Sequence, residues 1–267
     1  MIGWLDRFRR HMRPAFLIIG AQKAGTSSLF KMFAAHQRVV APVTKEQHFF
    51  DRGDRYARGF SHYIRQFPLA SGNTGRITFE ATPNYLFEEA CARRIHHHLP
   101  EVKLIAVLRN PVSRAYSAWN MYRHFAGHPV HGEWHDPRTF EQAVEDELAG
   151  RTTARAHLYL ERGQYARLLG RYFDLFGRDR LLVLRHDRLD LEPAAVMDEC
   201  CRFLGLELFA GNPAQLLVRD NVRPYPAAMD PALHDRLVAH FAPHMQELEQ
   251  LLGTGWDLLQ ARTARSK

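Results

Sequence analysis

Two short runs of almost uninterrupted apolar residues constrain the fold of this chain most strongly. They read AFLIIG at residues 15–20 and VKLIAVLR at residues 102–109, a pattern typical of strands that are buried on both faces of a parallel sheet. Weaker runs of the same kind predict strands at residues 38–42, 76–82 and 180–186. Helical patterns occupy residues 26–36, 88–99, 113–126, 139–150, 164–176, 193–206 and 230–252. This alternation predicts an α/β protein with a central, mainly parallel sheet that is flanked by helices.

The chain has 267 residues, of which 46% are hydrophobic and 24% charged, as in a globular protein with a large buried core. That length suits one large α/β domain or two small ones. Because no tandem repeat or low-complexity linker divides the chain, we predict a single domain at residues 15–267. A basic extension at residues 1–14 precedes it.

The charge balance indicates an anionic ligand or a basic surface. Lysine and arginine number 36 against 29 acidic residues, an excess of 7. We predict no nucleic-acid partner, because the chain has no RNA-binding signature and no zinc-finger spacing. No apolar run approaches the ~18 residues that span a bilayer. Residues 1–13 suit a basic amphipathic helix, either solvated, which we favour, or in peripheral contact with a membrane.

The three cysteines of the chain are a poor basis for a disulfide framework. Cys200 and Cys201 are adjacent, and Cys91 lies far from them in the sequence. An odd count with an adjacent pair indicates free thiols in a reducing compartment, so we predict a cytoplasmic protein.

The segment IIGAQKAGTSS at residues 18–28 resembles a phosphate-binding loop. Gly20 and Gly25 have the separation of the two glycines of a Walker loop, and the loop lies between a predicted strand and a predicted helix. The helix would begin near Thr26, Ser27 and Ser28. Their peptide N–H groups would face an anion there, with the helix dipole adding to the attraction. The alternative is a glycine turn in which Ser and Thr side chains only cap the helix.

The lysine of this loop has an unusual position. A Walker lysine follows the second glycine and reaches the β- and γ-phosphates, whereas Lys23 comes earlier and suits an ester on a single 5′-phosphate. The strand at residues 102–109 ends in Arg109, where a nucleotide hydrolase would place an aspartate for Mg²⁺. A cation there favours direct anion binding, so we predict no metal. A P-loop small-molecule kinase remains the alternative.

Two further segments carry candidate site residues. In LRNPVSRAYSAWNMY, Arg109 offers a planar fork that suits phosphate, and Ser117 offers a hydroxyl. Alternatively, Arg109 pairs with a carboxylate and Ser117 is a small packing residue. In TKEQHFFDR, Glu46 and His48 are two residues apart, so on an extended chain both would enter one cleft. Glu46 would take a proton from a hydroxyl, and His48 would orient it or assist the transfer. The alternative is an exposed polar turn.

Taken in this order, the segments resemble the sulfotransferases that use 3′-phosphoadenosine 5′-phosphosulfate (PAPS). The likeness is greatest to the heparan sulfate N- and 3-O-sulfotransferase branch and its bacterial relatives. The matching stretches span about residues 16–230. They are IIGAQKAGTSSL, KEQHFFD, FEATPNYL, LRNPVSRAYSAW, GQYARLLGRYFDLFG and VMDECCRFLGL.

The resemblance implies a three-layer, P-loop-like fold, PAPS as the sulfonate donor and PAP as its product, without a metal. The residues that it implies for the 5′-phosphosulfate are Lys23, Gly25, Thr26, Ser27 and Ser28. It implies Arg109 and Ser117 for the 3′-phosphate, Glu46 as the general base, and His48 beside that base. The implied acceptor is a glycan or another small molecule with a hydroxyl or amino group.

The chain also departs from this family. Ala81 stands where the family often has a lysine, so one cation expected near the sulfonate or the acceptor is absent. A basic loop late in the family is degenerate here, in RDNVRPYP, and Arg223 is its remaining candidate ligand. These departures leave a third interpretation open, a non-catalytic module that binds anions or glycans.

Overall fold

In a computed structural model of the chain, the structure describes residues 10–217 and 224–260. The chain divides into two compact units. Unit 1 comprises Met1–Leu108 and Arg171–Val218, and unit 2 comprises Arg109–Gly170 and Arg219–Lys267. The single domain at residues 15–267 stays a prediction. Most of the basic extension, with its proposed membrane contact, lies outside the described residues.

The described chain forms five strands and ten α-helices, besides short 3₁₀ turns. The strands are β1 (Pro14–Gly20), β2 (Val39–Val40), β3 (Ile77–Ala81), β4 (Lys103–Leu108) and β5 (Leu181–Arg185). The helices are α1 (Thr26–Ala34), α2 (Gly53–Tyr56), α3 (Phe60–Ile64), α4 (Glu89–His98), α5 (Pro111–Arg123), α6 (Phe140–Leu148), α7 (Tyr165–Phe176), α8 (His186–Leu191), α9 (Pro193–Leu204) and α10 (Pro231–Leu252).

All five strands belong to one parallel sheet in unit 1, which confirms the predicted α/β architecture. The strand order is β2-β3-β1-β4-β5, with parallel pairing throughout. β1 is the central strand, and its Ile18 pairs with Ala81 of β3 and with Ile105 of β4. The carboxyl ends of β1, β3 and β4 therefore lie at the same edge of the sheet, where ligands bind in folds of this kind.

The apolar runs of the sequence form the core of unit 1. Phe16 of β1 stacks on Phe79 of β3 with ring centroids 5.0 Å apart, and Phe33 of α1 lies 4.6 Å from Phe16. All three rings are fully buried. Helix α1 is therefore held against the sheet directly after the glycine loop. Cys200 and Cys201 of α9 are both buried and free.

Some elements differ from the prediction. The strand expected at residues 38–42 is reduced to Val39–Val40. Helices α2, α3 and α8 were not predicted, because elements of 4, 5 and 6 residues are too short to show a helical period. Gly205 ends α9 in the left-handed conformation, with φ 73°, as its place in the sequence indicated.

Unit 2 contains α5, α6 and α10, which bury a common aromatic cluster. Asn110, Thr139 and Asp230 cap the three helices, because each side chain accepts a peptide N–H of the first turn. The buried members of this aromatic cluster include Trp119, Phe140, Tyr159 and Phe241.

Among the described residues, no helix combines the length and the apolar character that crossing a membrane requires.

Candidate active site

The glycine loop lies at the carboxyl end of the central strand. It leaves β1 after Gly20, and the Ala21 N–H donates to the Val107 carbonyl of β4 at 2.8 Å. The loop then turns back on itself, because the Ala24 N–H donates to the Ala21 carbonyl at 3.1 Å. Lys23 is half-buried at the middle of this turn, with φ 68°.

Two glycines allow the loop to approach its neighbours. A Cβ at Gly20 would lie 2.6 Å from the Leu86 Cβ. Gly25 has φ +88°, and a Cβ there would lie 2.9 Å from Leu189 Cδ2 and 3.2 Å from His186 Cδ2. Neither position accepts a larger side chain without movement of its surroundings, so close packing favours glycine at both.

The amino end of α1 presents peptide N–H groups immediately after the loop. The first intrahelical bond runs from the Leu29 N–H to the Gly25 carbonyl at 3.1 Å. The peptide N–H groups of Thr26, Ser27 and Ser28 precede this bond in the first turn of the helix. The N-cap is Gly25, which has no capping side chain, and no acidic residue lies in the first turn. The arrangement suits an anion.

The segment with the predicted base lies at the carboxyl end of the neighbouring strand. The Glu46 N–H donates to the Ala81 carbonyl of β3 at 3.1 Å, and the His48 N–H donates to Thr82 Oγ1 at 3.4 Å. Because β3 pairs with β1, this segment and the glycine loop lie at the same edge of the sheet. The structure thus brings two of the three predicted site segments to one edge of unit 1.

The backbone is strained at three of the predicted site residues, Lys23, Glu46 and His48. In residues 10–217 and 224–260, a positive φ outside glycine occurs at Lys23, Glu46 and His48 alone, with values of 68°, 63° and 52°. A left-handed conformation costs a residue with a Cβ about 1–2 kcal/mol, and such strain concentrates at functional sites. The three strained residues are those predicted as catalytic.

Glu46 and His48 converge, but the predicted reason was wrong. We expected an extended chain to direct both side chains the same way. Instead, both residues are left-handed, and this local turn brings His48 Nε2 to 3.5 Å from Glu46 Oε2. The segment is therefore a shaped turn and not a strand extension.

His48 lies between two carboxylates, one of which the sequence left without a role. Its Nδ1 is 2.7 Å from Asp51 Oδ2, and the Asn84 amide donates to the same oxygen at 2.9 Å. Burial opposes protonation of His48, but the hydrogen bonds to Asp51 and Glu46 outweigh it and raise its pKa to about 9. At neutral pH His48 is therefore an imidazolium that donates to Asp51 and forms an ion pair with Glu46.

Glu46 has two cationic neighbours. The Lys45 ammonium contacts Glu46 Oε1, and His48 lies beside Oε2. Burial favours the neutral acid, but the hydrogen bond to His48 and the charge of Lys45 lower the Glu46 pKa to about 2. The carboxylate is therefore ionised at neutral pH, as a proton acceptor must be. Lys45, like Asp51, received no role from the sequence.

A buried polar network supports this turn. Fully buried Glu80 of β3 accepts hydrogen bonds from the hydroxyls of Tyr63 at 2.6 Å and Tyr85 at 2.8 Å, and from Thr82. Burial raises the Glu80 pKa. The Tyr85 hydroxyl in turn accepts the Phe49 N–H at 3.1 Å. The network thus holds the chain that follows His48 against the end of β3.

The other predicted phosphate ligands belong to unit 2. Arg109 is half-buried, and its carbonyl accepts a hydrogen bond from the Tyr165 hydroxyl at 2.8 Å. Asn110 caps α5 by accepting the Ser113 N–H at 3.0 Å. Ser117 is half-buried on the same helix. Arg223, the remaining predicted ligand, lies outside the described residues.

Comparison with known proteins identifies the family. The family model described as "Sulfotransferase domain" matches residues 13–221. Bifunctional heparan sulfate N-deacetylase/N-sulfotransferase 1 of Xenopus laevis is 30% identical over 273 residues, covering 92% of this chain and 30% of that protein. The human protein of the same name is 29% identical, with the same coverage. The chain thus spans about 30% of the length of these relatives.

Solved structures agree with this comparison. The sulfotransferase from Alicyclobacillus acidocaldarius has a TM-score of 0.72 and 30% identity, covering 91% of this chain and 98% of that chain. Mouse sulfotransferase SULT7A1, complexed with PAP, has a TM-score of 0.57 over 89% of this chain and 86% of its own, and at 14% identity it supports the fold alone. By the extent of the family match and the likeness to the Alicyclobacillus protein, the chain belongs to the sulfotransferase domain family.

Proposed function

We propose that the protein transfers a sulfonate group from PAPS to a hydroxyl or amino group of a carbohydrate or another small-molecule acceptor. One observation carries the proposal. Among the described residues, Lys23, Glu46 and His48 are the only non-glycine residues with a left-handed backbone. All three lie at the carboxyl ends of two paired strands, β1 and β3. An anion site and a proton acceptor are thus supported at one edge of the sheet.

Lys23 and the amino end of α1 would bind the 5′-phosphosulfate. PAPS supplies an activated sulfonate, whose bond to the bridging phosphate oxygen is the one that breaks. Lys23 would stabilise the negative charge that develops on this oxygen, together with the N–H groups of the first turn. Thr26, Ser27 and Ser28 add hydroxyls to the same anion site.

Arg109 and Ser117 would bind the 3′-phosphate, the group that distinguishes PAPS from ATP. Arginine suits this role because its planar fork donates two parallel hydrogen bonds to phosphate. Arg223 is assigned to the same ligand on the resemblance alone. With these cations neutralising the donor, the proposed reaction uses no metal.

Glu46 would act as the general base. It is ionised at neutral pH and accepts the acceptor proton as the acceptor oxygen or nitrogen bonds to sulfur. His48, protonated and held by Asp51, would orient the Glu46 carboxylate. We assign His48 this orienting role because an imidazolium has no proton-accepting nitrogen.

The acceptor is proposed by analogy with the relatives. Their names identify heparan sulfate as the polymer on which they act, which supports a glycan acceptor for this chain. The free thiols of Cys91, Cys200 and Cys201 support a reducing compartment, such as the cytoplasm.

The donor assignment is tested by ligand-induced stabilisation. PAP should raise the melting temperature without Mg²⁺, and ATP should raise it much less, with or without Mg²⁺. A larger effect from Mg-ATP would instead identify a kinase. Transfer of ³⁵S-labelled sulfonate from PAPS to a panel of glycans and small hydroxyl compounds then separates an enzyme from a non-catalytic module that only binds PAP.

A further inference from the structure

Both oxygens of the Glu46 carboxylate have a cationic partner. Lys45 contacts Oε1, and Nε2 of His48 lies 3.5 Å from Oε2. An acceptor hydroxyl must donate a hydrogen bond to one of these oxygens before it can lose its proton there. A carboxylate oxygen can accept more than one hydrogen bond, but a hydroxyl at either oxygen would share it with a cation that makes the oxygen less basic.

The two partners are not equally held. The second ring nitrogen of His48 is fixed by Asp51, whose side chain is 2% exposed, and the His48 peptide N–H is bonded to Thr82. Lys45 carries its ammonium on a flexible four-carbon stem. Within the described residues, Glu46 is its one hydrogen-bond partner. Lys45 is thus the partner that can leave, and Oε1 is the oxygen that it uncovers.

Electrostatics supports the same conclusion. Lys45 is one of the groups that lower the pKa of Glu46 to about 2. A general base works best when its pKa lies near the working pH, so Glu46 becomes a better proton acceptor when Lys45 moves away. His48 keeps its own partner, because Asp51 binds its second ring nitrogen.

In the proposed complex with PAPS, the sulfonate would be an anionic partner for the displaced ammonium. The hydroxyl bound to Oε1 is the atom that bonds to sulfur, and reacting atoms approach to about 3–3.5 Å before the bond forms. In the proposed complex, the sulfonate oxygens would therefore lie near the position that Lys45 leaves. A rotation of the flexible stem would move the ammonium from the carboxylate to the sulfonate.

On the basis of the proposed function, we propose that Lys45 is a displaceable partner of Glu46 that yields Oε1 to the acceptor hydroxyl and then pairs with the sulfonate. In this step the acceptor proton passes to Oε1, and the acceptor oxygen bonds to sulfur. The bond between sulfur and the bridging oxygen breaks, with its electron pair left on the phosphate of PAP. Lys45 stays protonated throughout.

The test compares PAPS with PAP, which lacks the sulfonate. In a Glu46→Gln background Lys45 has no carboxylate to hold it, and the affinities are measured without an acceptor, so that PAPS is not turned over. Lys45→Met in this background should lower the affinity for PAPS relative to PAP about tenfold, the effect of one hydrogen bond to a charged group. Lys45→Arg should largely retain the affinity ratio. Arg52→Met, which removes a nearby cation bonded to Asp54, should leave it unchanged.

The outcomes separate the two proposals. An unchanged ratio of PAPS to PAP affinity in Glu46→Gln with Lys45→Met would overturn the assignment of Lys45. A merely structural Lys45 would weaken PAP and PAPS equally and leave the ratio unchanged. If the wild-type protein does not bind PAP at all, the proposed function fails instead.

Discussion

Nδ1 of His48 lies 2.7 Å from Oδ2 of Asp51, a carboxylate whose side chain is 2% exposed. This pairing keeps the imidazole charged well above its usual pKa. His48 is therefore a fixed cationic neighbour of Glu46 and does not compete with it for the acceptor proton. The sequence places the three residues within six positions of one another, but the left-handed turn brings them together.

Asp51→Asn should lower the pKa of His48 and change the pH dependence of stability. A raised pKa contributes stability that is fully present below the unfolded value of 6.5 and is lost as the pH rises through about 9. The free energy of unfolding of Asp51→Asn should therefore fall furthest below that of the wild type near pH 6. The difference should shrink between pH 6.5 and about 9.

Urea denaturation at a series of pH values measures this difference, and NMR titration of the His48 ring measures the pKa itself. Asp54→Asn is the control, because Asp54 pairs with Arg52 and not with His48. An unchanged His48 titration in Asp51→Asn would contradict the assigned pairing.

Glu46→Gln should remove the base while leaving the donor site intact. The rate of sulfonate transfer should fall about 10²–10⁴-fold, the usual contribution of a general base. PAP affinity should be retained, because the proposed donor ligands are other residues. Single-turnover kinetics and calorimetry measure the two effects. The exposed residue Glu89, at the start of α4, provides the control Glu89→Gln. Transfer by Glu46→Gln at the wild-type rate would exclude Glu46 as the base.

Lys23→Met should slow the transfer by about 10²–10³-fold, as the loss of one donor to a developing negative charge does. Methionine keeps an unbranched apolar stem and removes the ammonium. Lys31→Met changes an exposed lysine of the same helix region and should have little effect. The assignment fails if the two variants transfer sulfonate at similar rates.

Gly25→Ala should lose both stability and PAP binding. The left-handed φ of +88° costs alanine about 1–2 kcal/mol, and the overlap with Leu189 adds about 1–3 kcal/mol. Gly177 has φ +76° with nothing within 4 Å of a Cβ, so Gly177→Ala measures the free-energy cost of the left-handed backbone alone. Denaturation and PAP titration of both variants compare the effects. Equal losses of stability would show that close packing at Gly25 is unimportant.

Arg109→Met should weaken PAP binding but not binding of AMP, which lacks the 3′-phosphate. A hydrogen bond to a charged group contributes about 1.5–3 kcal/mol, so PAP affinity should fall roughly tenfold to a hundredfold. Arg167→Met, which breaks an exposed ion pair with Glu161, is the control, because it removes the same charge as Arg109→Met. A parallel loss of AMP and PAP affinity would argue against a specific contact with the 3′-phosphate.

The fold could be predicted where burial dominates. The run at residues 15–20 is wholly apolar, and the run at 102–109 has Lys103 as its one polar residue before the terminal Arg109. Both form buried strands within one residue of the predicted bounds. Helices of 9 residues or more, such as α1, could be predicted because their apolar residues recur at the helical spacing. Short helices such as α8 did not, since their boundaries depend on tertiary contacts that leave no periodic pattern.

The candidate site could be predicted in part. Residue types and order suggested Lys23, Glu46 and His48, because the chemistry of each is local to its side chain. The roles of Asp51 and Lys45 depend on their contacts with His48 and Glu46. Those contacts depend on backbone angles that non-glycine residues rarely adopt, and no sequence pattern indicated them.

The left-handed backbone at Lys23, Glu46 and His48 has a consequence for engineering the protein. Glycine adopts this conformation without steric cost, so replacing any of these three residues by glycine should raise the thermal stability of the chain. Each such substitution would also remove a side chain assigned to the chemistry. A selection for heat resistance alone would therefore favour inactive variants, and the three positions should be held constant in any library built for stability.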